Sequence, residues 1–265
     1  MRVSRARRLH KRTSRRARLS TMSDRGLRPP QVVRELDPTP ELGPLASAWL
    51  AERRFVRDPR STTDRATLAA LLAERGLPAP EAVFDFETRF GGTRFTQPGR
   101  LPGVDFVLGA YALLKDDTST PNRERGFVPI VLSDNDVWYF LAGSAGSAAD
   151  FVDAEGTVWA QDTIEDPEPV PFATTPSIAL ARLVLYAHVF DVRHAHGCVE
   201  RDGYCGASLA RELGLPAIEH ASDRYGRFWG HSSVPSPDDS FVIEHEIEGE
   251  PVTTVVGPAV KKLGP

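Results

Sequence analysis

Cysteine is nearly absent from this chain: Cys198 and Cys205 are the only two in 265 residues. That argues against a secreted scaffold stapled by disulfides and makes a reducing cytoplasm the expected setting. Long apolar runs are missing as well. The longest apolar streak, Leu183 to Phe190, has the length of a core helix segment, well short of the roughly eighteen residues that a membrane helix needs. No membrane partner is expected. There is no P-loop, no G-x-G-x-x-G after a strand and no H-E-x-x-H, so the common nucleotide and zinc-protease chemistries have no foothold.

Charge of one sign is missing in two places. Residues 1–21 hold nine Lys/Arg and no acid. Three readings compete for this head: a nucleic-acid-binding arm, a transit-type peptide, or untranslated sequence ahead of a true start at Met22, which is favoured. The rest of the chain carries a net charge of −13, which argues against nucleic-acid binding by the folded body. The opposite absence lies between Gly126 and Ala181. These 56 residues contain no Lys or Arg and nine acids: Asp134, Asp136, Asp150, Asp153, Glu155, Asp162, Glu165, Asp166 and Glu168. Such a stretch is either a solubilising surface or a docking face. A nuclease holds phosphates with Lys and Arg, so a protein that covers one gains from opposite charge, mainly in association rate. The candidate partner-binding residues are Asp134, Asp136, Asp153, Glu155, Asp162, Glu165, Asp166 and Glu168.

What is present reads as helices followed by closely spaced strands. Residues 1–40 form a basic head and a Pro-rich lead-in. A short helix is expected over Glu41 to Arg54. Ser61 or Thr62 caps a second helix carrying Leu68, Leu71 and Leu72, which ends at Gly76. Leu77-Pro78-Ala79-Pro80 is a break, and Val83, Phe86 and Phe90 mark one face of a third helix stopped by Gly91-Gly92. Strands follow at Val104 to Ala110, Phe127 to Leu132 and Val137 to Leu141. Phe151 to Ala160 reads as a hairpin turning at Gly156. Thr175 and Pro176 open a closing helix packed through Leu180, Leu183, Val184 and Ala187. Segregated helices and a mainly antiparallel sheet define an α+β fold.

These motifs, in this order, resemble the SUKH superfamily of Smi/Knr-like proteins. The resemblance rests on Leu77-Pro78, Phe90-Gly91-Gly92, Phe127-Val128-Pro129-Ile130, Trp138-Tyr139-Phe140-Leu141, the hairpin Phe151-Val152-Asp153 to Gly156-Thr157-Val158, and the helix from Ser177. It spans about 130 residues, half the chain. It implies a non-catalytic α+β protein. In bacteria such proteins are commonly immunity proteins against toxins, often nucleases; in fungi they are interaction scaffolds. The implied function is a module, without cofactors, that binds a cognate protein toxin. The alternative is a regulatory or scaffold protein on the same fold.

Two other chemistries compete. His194, His196, Cys198 and Cys205 are four candidate zinc ligands, but their C-x6-C spacing lacks the tight knuckle of structural zinc loops. No bound metal is expected, and residues 191–205 are read as a linker. Ala142-Gly143-Ser144-Ala145-Gly146 resembles a degenerate nucleophile elbow, with Asp166 and His188 following in Ser–Asp–His order. Its strand setting argues against a serine hydrolase using Ser144.

The chain also repeats itself. ERGLPAPEAVFDFETRFGG at 74–92 and ELGLPAIEHASDRYGRFWG at 212–230 match at ten of nineteen positions. The expectation is a SUKH-like domain over 41–190 and a C-terminal α/β lobe over 206–265. The lobe would be a partial repeat of 68–115, docked on the first copy, with Val252 to Val256 extending or covering its sheet.

Overall fold

The computed structural model describes residues 42–52, 56–57, 62–97, 104–110, 124–133, 148–162, 169–231, 234–247 and 250–263. Helices combine with antiparallel sheets, as the α+β class requires. The first helix, α1, spans Gly43–Glu52 and buries Leu45 and Ala46. α2 spans Arg65–Glu74, and its cap is Asp64, not Ser61 or Thr62. The Asp64 carboxylate accepts from Thr67 N at 3.0 Å and from the Thr67 hydroxyl. α3 spans Glu81–Phe90 and buries Val83, Phe84, Phe86 and Phe90, each worth about 1.5–3 kcal/mol of transfer free energy.

Seven strands then pair in sequence order: β1 (Val56–Arg57), β2 (Thr93–Gln97), β3 (Val104–Leu108), β4 (Val128–Ser133), β5 (Ala148–Val152), β6 (Val158–Asp162) and β7 (Val170–Ala173). Every neighbouring pair is antiparallel. The expected strand at Val137 to Leu141 lies outside the described residues, as do the head and lead-in through residue 41.

The long helix α4 spans Pro176–His196, with Thr175 accepting from Ile178 N as its cap. It is about 30 Å long at 1.5 Å per residue. Its expected packing face was one stripe, yet Ala179 through Leu185 are all buried. A helix buried all round must be covered on several sides. The second cover is a four-stranded antiparallel sheet in the order β8, β11, β10, β9. Its strands are β8 (Cys198–Asp202), β9 (Gly226–Gly230), β10 (Phe241–Ile247) and β11 (Glu250–Val256). Alternation along these strands sorts their side chains onto two faces. Phe228, Phe241, Ile243 and Val256 join the core around α4. Val242, Val255 and Trp229 pack with α5 (Gly206–Leu213) and a terminal 3₁₀ turn at Pro258–Lys262.

Three expectations are corrected. The 191–205 segment is no linker: it carries the last turn of α4 and all of β8. Val252 to Val256 neither extends nor covers the first sheet; β11 is an interior strand between β8 and β10. The second helix expected of the repeat also fails to form. Both copies begin alike. Gly76 and Gly214 hold left-handed φ of 66° and 72°, and Leu77 N and Leu215 N reach back to Leu72 O and Ala210 O at 2.9 and 2.8 Å. They then part. Where α3 has apolar Phe84 and Phe86, the second copy has Ser222 and Arg224, and Gly226 stands where Thr88 stood. Without an apolar helical face, 219–230 folds as one 3₁₀ turn, a tight turn closed by Asp223 N donating to Gly226 O at 2.9 Å, and strand β9.

Candidate functional site

The β5–β6 hairpin carries the two expected partner-binding side chains that are described. Asp153 is half-buried, and its bonds are internal. One carboxylate oxygen accepts from Glu155 N at 3.0 Å and Thr157 N at 2.8 Å; the other accepts from Trp159 Nε1 at 2.8 Å. Aspartate at this offset forms an Asx-type turn, so Asp153 builds the hairpin and is not a free docking charge. Glu155, at the tip, is exposed. Asp162 ends β6 opposite Ala148, with its side chain outside the description. Asp134, Asp136, Glu165, Asp166, Glu168 and Ser144 lie outside the described residues.

The hairpin tip packs beside α3 and the start of α4, and the three enclose a cleft of about 340 Å³. Asp85 and Arg89 enter from α3, Glu155 from the hairpin, and Thr174, Thr175 and Ser177 from the approach to α4. Ala82 and Phe86 supply apolar lining. A second groove, of about 250 Å³, runs between α1, α4 and the 219–221 turn, with Leu45, Leu185 and Ile218 among its lining and His220 among its polar groups.

One ion pair, Arg182 with Asp223, is drawn into the core. Arg182 of α4 is 1% exposed. It donates through Nε to Ala221 O at 2.7 Å, through one terminal nitrogen to Phe172 O, and through the other to Asp223 Oδ1 at 2.5 Å and Gly226 O at 2.8 Å. Asp223 also accepts from Thr174 N and its hydroxyl and from Tyr225 N. Burial pushes this carboxyl up, but the Thr174 N–H, the Arg182 charge and the Tyr225 N–H outweigh it and hold it below the ordinary range. Sequence reading missed both residues.

His188 is the one member of the Ser–Asp–His order read from the sequence that is described; Ser144 and Asp166 are not. It is buried at 4% exposure against Phe241, and its Nε2 lies 2.8 Å from Asp239 Oδ2. His196 Nε2 lies 3.3 Å from Asp238 Oδ1. Cys198 sits in β8 opposite Val256, and Cys205 caps α5. The side chain of His194 is outside the description. Among the described residues, no group of three or more His, Cys, Asp or Glu is placed to hold a metal ion.

Cys205 is nevertheless distinctive. The Ser208 N–H and then its hydroxyl stabilise the thiolate, holding the exposed thiol below its ordinary value. Iodoacetamide is expected to label Cys205 ahead of the half-buried Cys198, with a midpoint below the ordinary thiol value of 9.0. Peptide mapping against pH checks this; a Cys205 midpoint at or above that value contradicts it.

No family model matches this chain, and neither does any curated protein or solved structure. No helix among the described residues is long and apolar enough to cross a membrane.

Proposed function

We propose that the chain is a non-catalytic, SUKH-like protein-binding module that meets a basic protein partner, in the manner of an immunity protein covering a toxin. The carrying observation is the cation-free span from Gly126 to Ala181. The first cation after it, Arg182, is buried and consumed by internal bonds, so it does not neutralise that surface. Glu155 stands exposed within the same span. The helix ending at Phe90-Gly91, the antiparallel strands after it and the Thr175-capped helix support the SUKH-like reading. Acidic surfaces of this kind act chiefly by steering, which raises association rates and makes them salt-sensitive.

The test is binding to the product of the neighbouring gene, where an immunity gene's toxin is encoded. The quadruple reversal Asp162→Lys, Glu165→Lys, Asp166→Lys and Glu168→Lys is expected to weaken that complex about tenfold or more, mostly through slower association. Added salt should slow association of the native protein and have less effect on the variant. Unchanged affinity on reversal removes the acidic-face reading. A scaffold role without a toxin partner then becomes the better account.

A further inference from the structure

We infer that the cleft between α3, the β5–β6 hairpin and the start of α4 seats one cationic side chain, Arg or Lys, of a protein partner. The inference rests on the reading that a basic protein meets this side of the molecule, and it names the pocket that reads the partner.

The cleft's volume of about 340 Å³ lies at the small end of ligand pockets. That suits a single long side chain better than a cofactor. Its walls are fixed. The hairpin tip is held by the three Asp153 bonds, α4 is capped by Thr175, and Phe86 is anchored in the core at 2% exposure. Ala82, over the buried Phe86, offers apolar surface to a methylene stem, while Asp85, Glu155 and the Ser177 hydroxyl offer acceptors to its head. Two carboxylates outnumber the one guanidinium that lines the cleft.

The start of a 21-residue helix invites the opposite assignment, an anion site. The local bonding argues against it. Pro176 has no N–H, Ile178 N is taken by the Thr175 hydroxyl, and Ala179 N is taken by Thr175 O. An anion there finds the Ser177 N–H and Arg89 but is opposed by two carboxylates. The chemistry of the cleft selects a cation with donors, and a guanidinium fork fits paired carboxylate and hydroxyl acceptors best.

Amide NMR with Nα-acetyl-argininamide as the probe tests this without the partner. Expected are saturable shifts at Glu155, Gly156 and Ser177, absent with acetyl-glycinamide and with inorganic phosphate. Asp85 and Glu155 are exposed, so Asp85→Asn and Glu155→Gln should fold normally, and each should weaken the probe about fivefold, as exposed ion pairs allow. No saturable shift overturns the inference. So does a stronger response to phosphate, or a response indifferent to both variants. If the arginine probe binds as expected but the quadruple reversal leaves the partner complex unchanged, the pocket stands and the acidic-face reading falls. The reverse pattern removes the pocket and leaves the acidic face.

Discussion

Arg182→Met is expected to cost about 3–5 kcal/mol, the range for removing one member of a buried ion pair. The loss has identifiable parts. Methionine fills much of the arginine volume, so cavity formation is a minor component. The carbonyls of Phe172, Ala221 and Gly226 lose their donors, and each such buried group costs about 1–3 kcal/mol when left unpaired. Asp223 keeps the Thr174 and Tyr225 N–H groups but loses its counter-charge at 8% side-chain exposure. Contacts of the guanidinium with Phe228 and Phe172, at 5.4 and 5.7 Å from the ring centroids, go too. Thermal melting should fall by about 10 °C for a chain of this size. A loss under about 1 kcal/mol in urea would show that Arg182 does not clamp the C-terminal sheet to α4. Because one buried partner without the other is the costly state, Arg182→Met with Asp223→Asn should recover part of the loss.

The same pair fixes a pH dependence. Asp223 is held below the ordinary carboxylate value of 3.8 in the folded state. Its contribution to stability is therefore fully present above 3.8 and is lost as pH falls through the lower, folded value. Native melting temperature should fall across that acid window, and the fall should be shallower in Arg182→Met, where the counter-charge holding the carboxyl down is gone. A variant with the native acid slope would contradict the assignment.

The geometry explains why this clamp was hidden in the sequence while other features were legible. α3 could be read because its signal is local: Val83, Phe86 and Phe90 recur at helical spacing, and two glycines end it. Thr175-Pro176 and the Asp153 to Gly156 turn are local signals of the same kind. Arg182 carries no such signal. Its partners Ala221 and Gly226 are 39 and 44 positions away, and within an apolar helix it reads as a chain reaching for solvent. The ten identities of the repeat suggest a helix through Asp223, but two substitutions, Ser222 and Arg224, strip its apolar face. Identity at matching positions measured descent-like similarity, whereas the fold followed hydrophobic spacing and the glycine at 226. The acidic face was legible as composition, but composition does not separate Asp153, bound into its own turn, from Glu155, left free at the tip. Only the backbone path distinguishes them.

Gly109→Ala should be nearly as damaging as losing Arg182, through a carboxylate that sequence reading also missed. Glu87 of α3 is 3% exposed, and its two oxygens accept from Thr63 N at 2.8 Å and Ala110 N at 2.7 Å. It thereby ties α3 to the approach of α2 and to the end of β3, contacts 24 and 23 residues away. Gly109 sits at φ 79°, and a Cβ there would overlap Glu87 Oε2 and lie 3.0 Å from Gly91 Cα. Alanine therefore brings a left-handed backbone cost of about 1–2 kcal/mol. Displacing the carboxylate adds about 1–3 kcal/mol for each amide left without an acceptor. The total is expected to be about 3 kcal/mol or more. Gly214→Ala is the control: it has a similar φ of 72° but open space around it, so it should show the backbone cost alone. Glu87→Ala should itself cost about 2–5 kcal/mol, since both amides lose their charged acceptor. The decisive measurement is the double variant. Once the carboxylate is gone, alanine at 109 loses its nearest clash, so the two losses should fall short of additivity by at least about 1 kcal/mol. Strict additivity would mean that Gly109 is required for its backbone angle and not to make room for Glu87.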